Sequence, residues 1–458
     1  MPASSTTMNP VERKAVVSLA LIFALRMLGL FIILPVIAVA VRDIPEATPT
    51  LVGLAIGMYG LTQAMCQIPF GFWSDRYGRK KVITVGLLIF AVGSVVAAMS
   101  DNIYLIIVGR ALQGAGAVAA AILALVADLT REQQRIKAMA MIGGSIGLSF
   151  MAALILGPIL YEHVGLSGIF LITGALALGV LPVLWWWTPN PKVSSRSKGL
   201  KFNKENARNL LGNRSLFGFY IGIFILHFSL TAFFVVVPLE LVDQLQWGLA
   251  DHWKLYVPIL VMSVVGMIPV LVLAHKWQKH RLALALGIFL MMAAQIVFAV
   301  PEEHIMSVVV GLWLYFCGFN ALEAMLPSLV SRLAPAGARG TVMGIYNTFE
   351  FTGIFLGGLC SGVVYSVYGA LGVYTLSLGV LGVWLVVILL MKPLKLLHSL
   401  TVKLAPNFSE PKIFAQLQSL DGVEDTTLFP DEGLGYIKVN EKIFKRQSIE
   451  SVRGVELL

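Results

Sequence analysis

Gly71-Phe72-Trp73-Ser74-Asp75-Arg76-Tyr77-Gly78-Arg79-Lys80-Lys81 packs five formal charges into eleven residues, between two segments that are almost purely apolar. A charged turn that short, joining two hydrophobic runs of span length, belongs at a membrane surface. The rest of the chain agrees. Of 458 residues, 57% are hydrophobic and 13% charged, and the mean hydropathy is +0.83. A soluble domain carries about a quarter charged residues. The apolar surplus exceeds what one core can hide, so the solvent is lipid. Mostly apolar spans recur at about 15–41, 50–72, 82–100, 103–127, 137–161, 167–188, 215–242, 253–275, 281–300, 305–331, 341–367 and 370–391, which predicts twelve transmembrane helices. Nothing alternates with the period of two that a barrel strand requires.

Orientation follows from the basic residues. With the N-terminus inside, the inner loops hold Arg76, Arg79, Lys80 and Lys81, then Arg131, Arg135 and Lys137, a basic run from Lys192 to Arg214, then Lys276, Lys279, Arg281, Arg332 and Arg339; the outer loops hold only Arg42 and Lys254. That asymmetry predicts an inner-membrane, multi-pass protein with both termini cytoplasmic. The net charge of +9 therefore points to anionic lipid and not to nucleic acid. Residues 1–14 are polar and the first span is long enough to stay in the bilayer, so no cleaved signal is expected. Cys66, Cys317 and Cys360 lie inside spans without metal-ligand spacing and read as inert thiols.

The organisation is duplicated. Leu125-Val126-Ala127-Asp128-Leu129, with Arg135 and Met139, aligns with Leu329-Val330-Ser331-Arg332-Leu333, with Arg339 and Met343, at an offset of about 204. Pro35 in helix 1 has a counterpart in Pro238 of helix 7. Such weak symmetry is the mark of a six-helix unit used twice. The expected domains are a cytoplasmic N-terminus (1–14), a six-helix bundle (15–190), a basic linker (191–213), a second bundle (214–392) and a tail (393–458). In the tail, Leu397–Val402 reads as a strand, Lys412–Ser419 as a short helix, Val423–Phe429 and Gly435–Val439 as strands, Lys442–Val452 as a helix and Val455–Leu458 as a further strand. This order predicts a small α+β, ferredoxin-like domain. The tail contains no Cys, which excludes a Cys-x-x-Cys metal carrier.

Three motifs carry a resemblance. Gly71, Asp75, Arg76, Gly78, Arg79 and Lys80 form the helix 2–3 hairpin pattern; Arg110-Ala-Leu-Gln113-Gly114-Ala-Gly116 looks like an Arg-x-x-Gln-Gly-x-Gly motif in helix 4; Gly157-Pro158 looks like the helix 5 antiporter pair. On these, residues of about 12–392 resemble the major facilitator superfamily, in particular its drug:proton antiporter branch. The resemblance implies two pseudo-symmetric six-helix bundles working by alternating access. The antiporter pattern continues with two glycines where this chain has Tyr161-Glu162, and Ala153 stands where a Gly is usual. Antiport and symport both stay open on this ground.

Several residues carry the expected mechanism. Gly71 and Gly78 permit a tight turn and close helix approach. Asp75 is expected near the start of helix 11, at Gly340 and Gly344, facing the positive end of that helix. Arg79 can hold Asp128 by a forked contact. Together these would latch the halves on the inner side. Arg76, Lys80 and Lys81 need do no more than set topology. Charges at mid-span are costly and normally face a cavity and pair. They are Arg26 in helix 1, Arg110 in helix 4, Glu323 in helix 10 and Glu350 in helix 11. The resemblance places helices 1, 4, 7 and 10 around the cavity, and so Arg26, Arg110, His227 and Glu323 beside the path. Glu323 is the preferred proton carrier, since desolvation disfavours a charged carboxyl and exposure to either side reverses that. The alternative is a fixed Glu–Arg pair. Glu350 either shares the role or pairs with a cytoplasmic-side charge, and His227 is either a titrating group or a packing residue.

Phe31, Tyr59, Phe228, Tyr315, Phe319 and Tyr346, with Gln113, are candidate cavity residues, suited to amphipathic or hydrophobic substrates, often cationic. Gly143 and Gly147 fit Gly-x-Ser-x-Gly, but inside helix 5 they read as a small-residue helix contact, like Gly53 with Gly57 and Gly353 with Gly357. No metal, nucleophile or phosphate constellation is present, so an enzyme is not expected. The expected partners are a small-molecule substrate, protons and the bilayer, with no cofactor beyond the proton gradient and a monomer as the working unit. Efflux of small amphipathic molecules is the leading expectation. Proton symport of a metabolite and a non-transporting sensor with the tail as output are the alternatives.

Overall fold

The structure is a computed structural model that describes residues 7–42, 44–190, 209–300, 305–335 and 339–391 and, within the tail, 398–405, 410–429, 433–439 and most of 443–457. The expected linker from Lys192 to Arg208, Glu302 and Glu303, and parts of the last tail helix lie outside the described residues. Ten apolar helical segments are long enough to span a membrane. Two of them, Glu132–Pro182 and Arg339–Leu390, are 51 and 52 residues long. At about 1.5 Å per residue each exceeds twice the bilayer's hydrocarbon core, so each is two crossings. The break within each is a glycine with positive φ, Gly165 (φ 65°) and Gly369 (φ 61°). These sit about 204 residues apart, the offset of the sequence repeat. The protein therefore crosses twelve times and brings both termini to one face, called here the termini face.

Helix 1 is Pro10–Phe31 continued by Leu34–Ala40, helix 2 is Pro49–Tyr77, helix 3 is Arg79–Ala98, and helix 4 is Ile103–Ala115 continued by Ala119–Leu129. Helices 5 and 6 share Glu132–Pro182, and helix 6 ends in a π turn at Val183–Trp187. Helix 7 is Arg214–Asp243, helix 8 is His252–Gly266 continued by Ile268–His275, helix 9 is His280–Ala299, helix 10 is Ile305–Leu333, and helices 11 and 12 share Arg339–Leu390. Polar caps start them where the sequence leaves lipid. Asn102 accepts from the Leu105 amide at 3.0 Å and Asn213 from that of Leu216 at 3.2 Å, satisfying amides that would otherwise be orphaned. Gly78, at φ 101°, makes the abrupt joint between helices 2 and 3.

The halves meet most closely along helices 2 and 11, which run antiparallel. A Cβ added to Gly53 would lie 2.2 Å from the Gly358 carbonyl, one on Gly57 2.6 Å from that of Phe355, and one on Gly60 2.6 Å from that of Phe351. Gly362 stands equally close to the Pro49 carbonyl. Only glycine lets the backbones touch this way. The small-residue contacts expected at Gly53, Gly57, Gly353 and Gly357 are thus present, the last two against Phe224 and Phe228 of helix 7.

In the tail, β1 (His398–Leu404), β2 (Val423–Phe429), β3 (Leu434–Val439) and β4 (Val455–Leu457) form an antiparallel sheet in the order β2-β3-β1-β4, with the helix Glu410–Gln418 between β1 and β2. That order is ferredoxin-like. Val402, Leu404, Ile413, Leu417, Ile437 and Val439 make its core. Of the second helix expected over Lys442–Val452, the described residues hold a 3-10 turn at Arg446–Ile449, while Lys442, Lys445, Glu450 and Ser451 lie outside them. Phe444, Ile449 and Val452 of this segment are buried in the tail core. Lys438, buried on β3, donates to the Arg332 carbonyl at 2.8 Å and so caps the end of helix 10 with a cation.

Candidate functional site

The mid-membrane charges are segregated by lobe. In the N-terminal lobe Arg26 and Arg110, each 1% exposed, flank the fully buried Tyr59 ring, their guanidinium carbons 5.9 and 5.0 Å from its centroid. Arg26 donates to the Tyr59 hydroxyl at 2.6 Å and to Gln63 Oε1 at 2.7 Å. Arg110 donates to Gln113 Oε1 at 2.9 Å, and Gln113 passes the chain to Ser94 Oγ at 2.8 Å. Ring faces and neutral acceptors hold both cations. Arg26 Nε and Nη1 are buried with no acceptor.

In the C-terminal lobe, Glu350 of helix 11 lies 3.6 Å from His227 Nε2 of helix 7. Glu323 of helix 10 has a buried Oε2 without a hydrogen-bond partner. The two carboxyls are within electrostatic reach of each other and of Tyr346, whose hydroxyl is likewise buried and unpartnered. Tyr59 is within reach of Glu350; its neighbour Gly60 touches Phe351, the residue after Glu350. Neither acid is ion-paired with Arg26 or Arg110 among the described residues, so the alternative reading of a fixed Glu–Arg pair finds no such pair in this conformation. The helices place cations in one lobe and acids in the other, with Tyr59 at the seam between.

The aromatic candidates divide. Phe319 meets His227 edge-on at 6.1 Å, and Phe31 packs edge-on against Phe150 at 5.2 Å. Tyr315 is fully buried, stacked on Phe233 at 4.7 Å and within hydrogen-bond distance of Ser229 Oγ at 3.3 Å, in the packing between helices 7 and 10. Phe228 is also buried, at 5% exposure.

At the termini face, Arg79 bonds Asp128 Oδ2 at 3.1 Å and Ser74 Oγ at 2.6 Å. Asp75 departs from expectation. Its side chain is 61% exposed and its partner is Arg79, four residues on across the Gly78 joint, in place of the start of helix 11. An added Cβ on Gly340 or Gly344 meets nothing within 4 Å among the described residues. The reason lies in the seam. Its register, with Gly53 opposite Gly358 and Gly60 opposite Phe351, would bring Gln67 opposite Gly344 and Gly71 opposite Gly340 if it continued. That contact is not made: among the described residues an added Cβ on Gly71 meets only Ala120, and one on Gly340 or Gly344 meets nothing, so helices 2 and 11 stand apart at the termini face. An added Cβ on Gly143 or Gly147 of helix 5 likewise meets nothing within 4 Å among the described residues, so the small-residue contact expected there is not made in this conformation. Gly157 does make a helix contact, against the Ile32 carbonyl and Pro35 of helix 1, beside Pro158. The far face is shut: there Arg42 pairs with Asp243 across the lobes at 2.5 Å. Lys80 is buried and donates to the Thr188 carbonyl at 2.6 Å, while Arg76 lies against the Tyr77 ring.

Two arrangements escaped the sequence reading. One is the Arg42–Asp243 pair, since charges at loop ends read only as topology. The other is Glu12, which accepts from the Arg131 amide and Nε at 2.9 and 2.8 Å on one oxygen, and from Arg131 Nη2 and the Asn9 amide, both at 2.9 Å, on the other. The Asn-x-x-Glu spacing of a capping box was its visible signal. Glu12→Gln, which leaves one acceptor oxygen, is expected to cost about 1–3 kcal/mol and lower the thermal midpoint in detergent; an unchanged midpoint would remove Glu12 from the stability account.

A model of the Major Facilitator Superfamily matches residues 19–358. This chain belongs to the major facilitator superfamily. It is therefore a membrane transporter of that superfamily, not an enzyme. It is 38% identical over 444 residues to the inner membrane transport protein YajR of Escherichia coli (strain K12), covering 97% of this chain and 98% of that protein. Multidrug resistance protein 1 of Bacillus subtilis (strain 168) is 23% identical over 345 residues, 74% of this chain and 87% of that one. Among solved superfamily structures, a bacterial homologue of the human lysosomal transporter Spinster in an inward-facing and occupied conformation superposes with a TM-score of 0.69 at 14% identity, over 84% of this chain and 97% of that one. The human organic anion transporter MFSD10 does so with a TM-score of 0.61 at 20% identity, over 83% of this chain and all of that one.

Proposed function

We propose that the protein is a proton-coupled exporter of small amphipathic molecules in the bacterial inner membrane, with the termini face inside. The observation that carries this reading is the Glu323–Glu350–His227 group at mid-membrane, in which Glu350 lies 3.6 Å from His227 and Glu323 keeps a buried oxygen without a hydrogen-bond partner, beside a lobe that holds two buried cations. Buried acids of this kind mark proton paths in transporters. In this reading Glu323 binds and releases the proton and Glu350 shares its field. The Arg26–Tyr59–Arg110 stack gives the opposite lobe a fixed positive face toward which a deprotonated acid is drawn. Asp75, Arg79, Asp128, Gly71, Gly78, Gly340 and Gly344 form the inner latch, open here and closed when the helix 2–11 seam zips to its end. Gly157 and Pro158 pivot helix 5 on helix 1, leaving Gly143 and Gly147 to pack when the inner face shuts. The working unit is a single chain. Distant likeness to a multidrug resistance protein and the aromatic surroundings of the acids favour amphipathic substrates.

Proteoliposomes with an imposed pH gradient, tested against a panel of dyes and sugars, check the reading. Substrate-triggered proton movement opposite to substrate flux is the expected outcome. Co-directional movement would convert the assignment to symport, and absence of any solute flux would overturn it.

A further inference from the structure

Helix 6 leaves the membrane through three consecutive tryptophans. Pro182 cannot supply an amide to the helical ladder, and the next turn widens to a π turn closed by the Thr188 amide on the Val183 carbonyl at 2.9 Å. The widened turn fans the rings outward. Trp185, Trp186 and Trp187 are 46%, 83% and 41% exposed. Trp185 is committed, its indole N–H donating to Thr84 Oγ1 at 3.0 Å. Between this turn and the start of helix 1 lies a groove of about 470 Å³ lined by Val11, Lys14, Trp186, Trp187 and Asn190, among others.

Its charge is one-sided. Lys14 lines it, Arg13 and Lys81 are exposed nearby, and Lys80 stands 6.0 Å from the Trp185 ring. No carboxylate is among the lining residues, and the acid nearest in sequence, Glu12, is occupied by Arg131. An apolar track leads from the groove toward the membrane centre. On helix 1, Val17 and Leu21 continue the stripe of Lys14 and are 38% and 37% exposed; on helix 6, Leu178 and Leu171 lie seven and fourteen residues before Trp185 and are 46% and 52% exposed. A free anion would use the head of this site and leave the track bare. Tryptophan is at home at the headgroup level, and basic pockets at helix ends on the cytoplasmic side suit anionic headgroups.

We propose that this groove binds one anionic glycerophospholipid, its phosphate at Lys14 and the exposed indole N–H groups, its acyl chains along Val17, Leu21 and Leu178. The test is tryptophan fluorescence of the full chain in vesicles where an equal fraction of lipid is brominated phosphatidylglycerol or brominated phosphatidylcholine. Phosphatidylglycerol is expected to be enriched about fivefold over phosphatidylcholine at the site and to quench more strongly. The excess should vanish in Lys14→Gln and shrink in Trp186→Phe, a ring too exposed for its loss to threaten folding. Equal quenching by the two lipids would overturn the proposal, as would an excess that survives Lys14→Gln. Displacement of the excess by inorganic phosphate would assign the head to a soluble anion instead. None of these readouts uses substrate or a pH gradient, so they stand apart from the test of transport.

Discussion

Glu323→Gln is expected to abolish pH-driven flux, down to the level of empty vesicles, while the protein still folds. Glutamine has the shape of the protonated acid and cannot release a proton. The Oε2 atom it would replace is buried and unpartnered, so the exchange breaks no ion pair and leaves no charge stranded. The measurement is substrate-triggered proton movement in proteoliposomes, beside the thermal midpoint as a check of folding. Glu350→Gln is the instructive comparison, because Glu350 has His227 at 3.6 Å and its loss leaves an imidazole facing the cavity. Full coupling in Glu323→Gln would transfer the proton to Glu350 or His227 and end the role given to Glu323.

Gly53→Val should act on the other half of the cycle. The first added carbon would stand 2.2 Å from the Gly358 carbonyl and 2.9 Å from Gly362 Cα. Both are backbone atoms and neither can swing aside. Overpacking of this kind costs at least about 1–3 kcal/mol, and the chain has an escape, namely the conformer in which the far halves of helices 2 and 11 part. Such a cost moves a two-state balance about tenfold or more. In a cysteine-free background carrying Gly144→Cys, which stands open in this conformation, maleimide labelling from the termini face should fall by about that factor. Undiminished labelling by a well-folded Gly53→Val protein would show that the seam does not govern the balance.

Most of the architecture was legible because lipid imposes long apolar runs, and the duplication was legible because Gly165 and Gly369 keep the offset of the flanking motifs. The residues of the site were legible one at a time: charges in mid-span advertise themselves at Arg26, Arg110, Glu323 and Glu350. Their grouping was not. Helical spacing cannot say that Tyr59 stands between two arginines of different helices, or that Gln63 accepts a hydrogen bond from Arg26. Conformation was also beyond the sequence. Asp75 and Gly340 carry the same residue types whether the latch is shut or parted, and only the splay of helices 2 and 11 separates the two.

The Arg42–Asp243 pair has a physiological corollary. Its side chains are 52% and 43% exposed, which leaves them in full communication with the surrounding fluid. An exposed pair of this sort contributes about 0.5 kcal/mol, and dissolved ions screen it over roughly 8–10 Å. If that face looks outward, brine in the medium loosens the clasp and dilution tightens it. The ionic strength of the fluid on that face then biases the resting posture of the carrier before any cargo arrives.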